Sequence, residues 1–136
     1  MIETAEEFFR LRTSDDPAEY QRAAHDEAPE TVWREVVDRF PEMRLWVAHN
    51  KTVPLRILET LAHDPDGGVR FMVASKRKLP EYLQLQLARD ADEGVRRALA
   101  HNARATPRTL ALLATDAIAE IRDQATARLA ATEDTV

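Results

Sequence analysis

The chain has 136 residues, enough for one domain with its own core, and no cysteine, which excludes disulfides, thiolate metal sites, iron–sulfur clusters and cysteine nucleophiles. Nineteen Lys and Arg against 24 Asp and Glu give a net charge of -5, which opposes non-specific attraction to phosphate backbones or anionic membranes and favours a partner with a basic surface. Acids at Glu3, Glu6 and Glu7 stand where a secretory leader is basic and then apolar, and no apolar run nears the roughly 20 residues that cross a bilayer, so a cytoplasmic protein is expected.

Residues 2–12, with Phe8, Phe9 and Leu11, predict an opening helix that caps the fold. Asp16-Pro17 then reads as an N-cap followed by proline at the first helical position. The stretch from Ala24-His25 to Pro29 echoes Ala48-His49 to Pro54, and Val32, Val36 and Val37 supply an apolar stripe. From Met43 a period of 26 residues is regular. It carries Met43-Arg44, Val69-Arg70, Val95-Arg96 and Ile121-Arg122, then Leu61-Ala62, Leu87-Ala88 and Leu113-Ala114, and the series Asp38, Asp64, Asp90 and Asp116. Pro54 and Pro80 keep the step; Pro107 comes one residue late, which places an insertion in the preceding loop. Each unit reads as two short amphipathic helices, marginal alone, so neighbouring units must cover each other's stripes. Residues 1–136 are thus expected to form a single helical-repeat domain: caps and a degenerate repeat over 1–40, regular repeats over 41–131, and a frayed tail over 132–136.

A unit of the form apolar-Arg-x-x-Val-Ala-x-Asn followed by Pro-x-x-x-Leu-x-x-Leu-Ala-x-Asp resembles the leucine-rich repeat variant family, a relative of HEAT-like helical repeats. The likeness covers about residues 43–128, with echoes back to Pro17. It implies an all-α, right-handed α-solenoid of short two-helix repeats, in which an α-helix alternates with a shorter or 3₁₀ helix, and a curved scaffold whose task is binding. An iron–sulfur cluster known in one relative does not carry over to a chain without cysteine, and no cofactor is expected.

The repeated columns have a structural explanation. Each Asp precedes the repeat Arg by six residues, across a turn, and is expected to accept from that Arg and from amides opening the next helix. Asn50 and Asn102 read as turn formers. His25, His49 and His101 share one position, but units about 10 Å apart cannot bring them to one metal ion. Trp33 and Trp46 read as core anchors.

What breaks the pattern points to a surface. Leu45 and Phe71 follow the repeat Arg, off the core stripe, with Arg97 at the same place in the next unit; His49 and His101 lie one turn further on. On the second helices Leu55, Tyr82, Leu85 and Leu112 stand out in the same way. The third unit departs most, with Lys76, Arg77 and Lys78 in its connector and Gln84 where Leu58 and Leu110 fill the core. The candidate partner-binding residues are therefore Leu45, His49, Phe71, Lys76, Arg77, Lys78, Tyr82, Leu85, Arg97 and His101. No glycine-rich phosphate loop, zinc helix or nucleophile elbow is present, and a non-catalytic scaffold for a protein partner is expected. Its size and charge also suit an inhibitor or immunity-type protein. The alternative is a nucleic-acid-binding solenoid using Arg and Lys rows, and the repeat arginines discriminate: free and outward-pointing they favour nucleic acid, bonded to the Asp column they do not.

Overall fold

The computed structural model describes residues 1–133, in which ten α-helices and one 3₁₀ turn, Pro41–Met43, are joined by short connectors without any strand. Residues 134–136, the end of the expected tail, lie outside the described residues. The contacts group the chain into two compact units, Met1–His63 and the part from Asp64 onward.

In the first unit, α1 (Ala5–Thr13), α2 (Pro17–His25), α3 (Glu30–Arg39), α4 (Arg44–His49) and α5 (Leu55–Leu61) form two rows, α1 against α3 against α5 and α2 against α4. The opening helix starts later than its apolar pattern implies because Thr4 caps it, its Oγ1 accepting from Glu7 N at 3.0 Å. Ile2 precedes the helix, yet it is fully buried, and its N–H donates to Glu27 O at 2.8 Å. Asp16 caps α2 through Ala18 N at 2.9 Å, with Pro17 following as read. Phe8, Leu11, Val36 and Val47 are fully buried with Trp33, whose ring meets Phe8 edge-on at 5.2 Å. Each such side chain contributes about 1.5–3 kcal/mol of burial, more than six- to ten-residue helices supply alone.

From Asp64 onward the helices are α6 (Gly67–Ala74), α7 (Glu81–Leu87), α8 (Glu93–His101), α9 (Pro107–Leu113) and α10 (Ala119–Glu133). The same two rows recur: α6 against α8 against α10, and α7 against α9. Val69, Val73, Val95, Leu99 and Ile121 fill one row's core, and Leu83, Leu87, Leu110 and Leu113 the other's.

The prolines explain the apparent insertion. α5, α7 and α9 begin at Leu55, Glu81 and Pro107, steps of 26 with nothing inserted. Pro54 and Pro80 are the residues before their helices, whereas Pro107 is the first helical residue and Thr106 takes over the cap, accepting from Thr109 N at 3.3 Å. Proline suits either place, since neither needs its missing N–H. At the far end α10 runs to Glu133 and so includes the first two residues of the expected tail.

Candidate functional site

In the repeated Arg column, Arg70 and Arg96 are held by the scaffold, and their carboxylate partners are one unit away from where the spacing places them. Arg70 donates from Nε and Nη2 to both oxygens of Asp90, at 2.8 and 3.1 Å, and Arg96 does the same to Asp116 at 2.7 and 3.4 Å. The aspartate six residues upstream offers its backbone: Asp64 O accepts from Arg70 Nη1 at 2.7 Å and Asp90 O from Arg96 Nη1 at 2.8 Å. Each arginine thus ties its own entry turn to the carboxylate of the next unit. That carboxylate also accepts from the amide two residues on, Asp92 N or Ile118 N, both at 2.9 Å. Burial pushes the Asp90 and Asp116 carboxyls up, but the bonds from Arg70 and Arg96 and from those amides outweigh it and hold both below the ordinary carboxylate range.

A second column works through amides. Asn50 Nδ2 donates to Ala23 O at 2.8 Å and Asp26 O at 3.1 Å, and Asn102 Nδ2 to Ala74 O at 2.8 Å and Lys76 O at 3.0 Å, so each closes the preceding connector. Arg128, 26 residues after Asn102, repeats the gesture from Nη1 to Ala100 O and Asn102 O, both at 2.8 Å. Gln84 is likewise structural. It is buried, donates to Leu79 O at 2.9 Å and Arg104 O at 3.2 Å, and accepts from Thr106 N at 3.0 Å and Thr109 Oγ1 at 2.9 Å. All four of its hydrogen-bonding positions are used.

The large apolar side chains exposed among the described residues from Asp64 onward are Phe71 and Tyr82. Phe71 on α6 is 44% exposed and Tyr82 on α7 54%, while Leu85 is half-buried. Arg77 and Lys78 are exposed and Lys76 half-buried, on a connector held to the next by Asn102 and Gln84. That second connector adds Arg104, exposed and 26 residues after Lys78, which the reading of the third unit alone passes over. Arg97 takes Phe71's place on α8 but is paired, with Glu120 at 3.1 Å and Glu93 at 4.0 Å. His101 is exposed at the end of α8. These residues fall on two helix rows and one connector edge and do not form a single cluster.

In the first unit Leu45 is half-buried and His49 exposed. His49 meets Trp46 edge-on at 5.7 Å, and Trp46, only half-buried, is a groove wall where the sequence implied a core anchor. The groove, about 400 Å³, is lined by Arg12, Tyr20, Gln21, Trp46, His49 and two alanines. Arg12, Tyr20 and Gln21 lie on α1 and α2, outside the regular repeat, so the period carries no signal for them.

Among the described residues no three His, Asp or Glu side chains come together as metal ligands, and no helix is long and apolar enough to cross a membrane. The family model of the leucine rich repeat variant matches residues 41–66. The matched span holds the 3₁₀ turn, α4 and α5, one helix pair of the stretch over which the spacing resembles this repeat family. No curated protein and no solved structure matches the chain. The leucine rich repeat variant is a helical repeat scaffold, and the landmarks of the matched unit recur from Asp64 onward at Val69-Arg70, Val95-Arg96 and Ile121-Arg122. Of the expected alternation with a shorter or 3₁₀ helix, the short member is here a seven-residue α-helix, α5, α7 or α9, beside the eight- and nine-residue α6 and α8.

Proposed function

We propose that the chain is a non-catalytic, HEAT-like right-handed solenoid that holds a protein partner. The observation that carries this reading is the exposure of Phe71 and Tyr82 on ordered helices whose repeat does not need a large ring there. Aromatic side chains bury much area at low entropic cost, which is why they anchor interfaces. Arg77, Lys78 and Arg104 give an acidic stretch of the partner a complementary edge.

Charge is divided unevenly, with eight basic against thirteen acidic residues up to His63 and eleven of each after it. A basic partner surface therefore suits the first unit, and masking such a surface is the inhibitor-like form of this function. Nucleic acid is the weaker reading because Arg70 and Arg96 are bound to Asp90 and Asp116, which removes them from any cationic row.

The test is capture of partners from native lysate after nuclease treatment, by the native chain and by Phe71→Ala, Tyr82→Ala and Lys76→Ser/Arg77→Ser/Lys78→Ser. A protein recovered by the native chain and lost from at least one variant is expected. Recovery indifferent to all three, or recovery of nucleic acid alone when nuclease is omitted, overturns the reading.

A further inference from the structure

The groove beside Trp46 holds a cation without an anion. The Arg12 guanidinium carbon lies 3.4 Å from the centre of the Trp46 ring, and its Nε is buried without a hydrogen-bond acceptor among the described residues. Arg10, Arg22, Arg34 and Arg39 are all paired with carboxylates, whereas Arg12 has none among the described residues, although this unit carries the acidic excess. Stacking on an aromatic ring occupies a face of the guanidinium and leaves its N–H edge for bonds in the plane. A partly desolvated donor edge without an acceptor is costly, and a carboxylate meets it with two parallel charge-assisted bonds.

The remaining walls decide what else the ligand carries. Trp46 and Tyr20 present rings, and Gln21 and His49 add polar edges without a second fixed charge. One cation in a largely apolar groove matches one negative charge, and a phosphate dianion would bring a charge with no counterpart. The volume accommodates a small ring or a branched side chain. We propose that this groove binds a carboxylate with an apolar body, the carboxylate on the edge of Arg12 and the body against Trp46 and Tyr20. The ligand is either a free organic acid or the carboxyl terminus of a peptide. This site does not depend on the partner surface proposed above, since it shares neither Phe71 nor the basic connector.

Titration of the native chain with benzoate, benzyl alcohol and inorganic phosphate, followed by tryptophan fluorescence and by the NMR signal of the Arg12 Nε–H, tests the site. Benzoate is expected to saturate both signals, with benzyl alcohol and phosphate about tenfold weaker or more, the ratio set by a charge-assisted bond pair. Arg12→Gln should lose that preference while keeping its thermal unfolding midpoint. Arg12→Lys, which keeps the charge but not the fork, should fall between Arg12→Gln and the native chain. Tetrapeptides ending in Phe with a free or an amidated terminus separate the sources: tighter binding of the free-terminus peptide than of benzoate assigns a chain end, the reverse a free acid. Equal binding of benzyl alcohol and benzoate, tighter binding of phosphate, no saturation by any probe, or unchanged benzoate affinity in Arg12→Gln overturns the proposal.

Discussion

Gln84 stands where the neighbouring units carry Leu58 and Leu110, and a pattern of apolar spacing marks it as a defect or a functional residue. The structure makes it a brace whose four hydrogen bonds close two connectors and satisfy Thr109, which itself replaces the aliphatic Ile57 and Leu83 of its column. The two departures compensate each other, a relation that the sequence shows only when both columns are read together. Restoring the repeat with Gln84→Leu strands Leu79 O, Arg104 O and Thr106 N and leaves the Thr109 hydroxyl only the Thr106 hydroxyl at 3.0 Å, and is expected to lower stability by about 3 kcal/mol, since each buried polar group left unpaired costs about 1–3. Gln84→Leu/Thr109→Ile should recover about 1 kcal/mol of that, because an aliphatic side chain replaces a buried hydroxyl that has lost one of its two partners. Urea unfolding measures both, and a neutral or stabilising Gln84→Leu would show that the brace is not needed.

At the scale of the helix, the period made the number and phase of the short helices legible, because apolar spacing and helix-breaking residues act locally. The partners of the charged column were not legible. Spacing along the chain sets Asp64 six residues from Arg70, but a guanidinium reaching across packed helices finds Asp90 twenty residues away. The groove was hidden for a related reason: Arg12 and Trp46 meet through packing of α1, α2 and α4, and nothing periodic links them. One further coupling between helices follows. A Cβ on Gly67, the first residue of α6, would collide with the Asp92 carboxylate, which caps α8 through Gly94 N at 2.7 Å. Gly67→Ala should be near neutral in the native chain, because displacing the cap costs about 1 kcal/mol and alanine in place of glycine returns up to about 1. With Asp92→Ala already in place, the same substitution should stabilise by about 0.5–1 kcal/mol. A double-mutant cycle reads the coupling, and additive effects would mean that the carboxylate yields at no cost.

Over the whole molecule the two units differ in electrostatic character, the first carrying the acidic surplus on mostly exposed pairs and the second balancing its charge in the ladder of Arg70 with Asp90 and Arg96 with Asp116. Side chains in that ladder are 5–18% exposed, so solvent screens them far less than the surface pairs. Because folding lowers the Asp90 and Asp116 pKa values, the unfolded chain takes up protons first as acid is added. Their contribution is therefore fully present above about pH 4, the ordinary aspartate value, and is lost as pH falls through the lower folded values. The urea midpoint from Asp64 onward, followed by amide signals of α8 and α10, is expected to be flat from pH 7 to 5 and to fall steeply below about pH 4. Asp116→Asn removes one of the two titrating carboxylates and leaves Arg96 with a neutral partner. That variant should be less stable at pH 7 and lose less on going to pH 3. If its acid profile runs parallel to that of the native chain, the ladder is not what acid titrates.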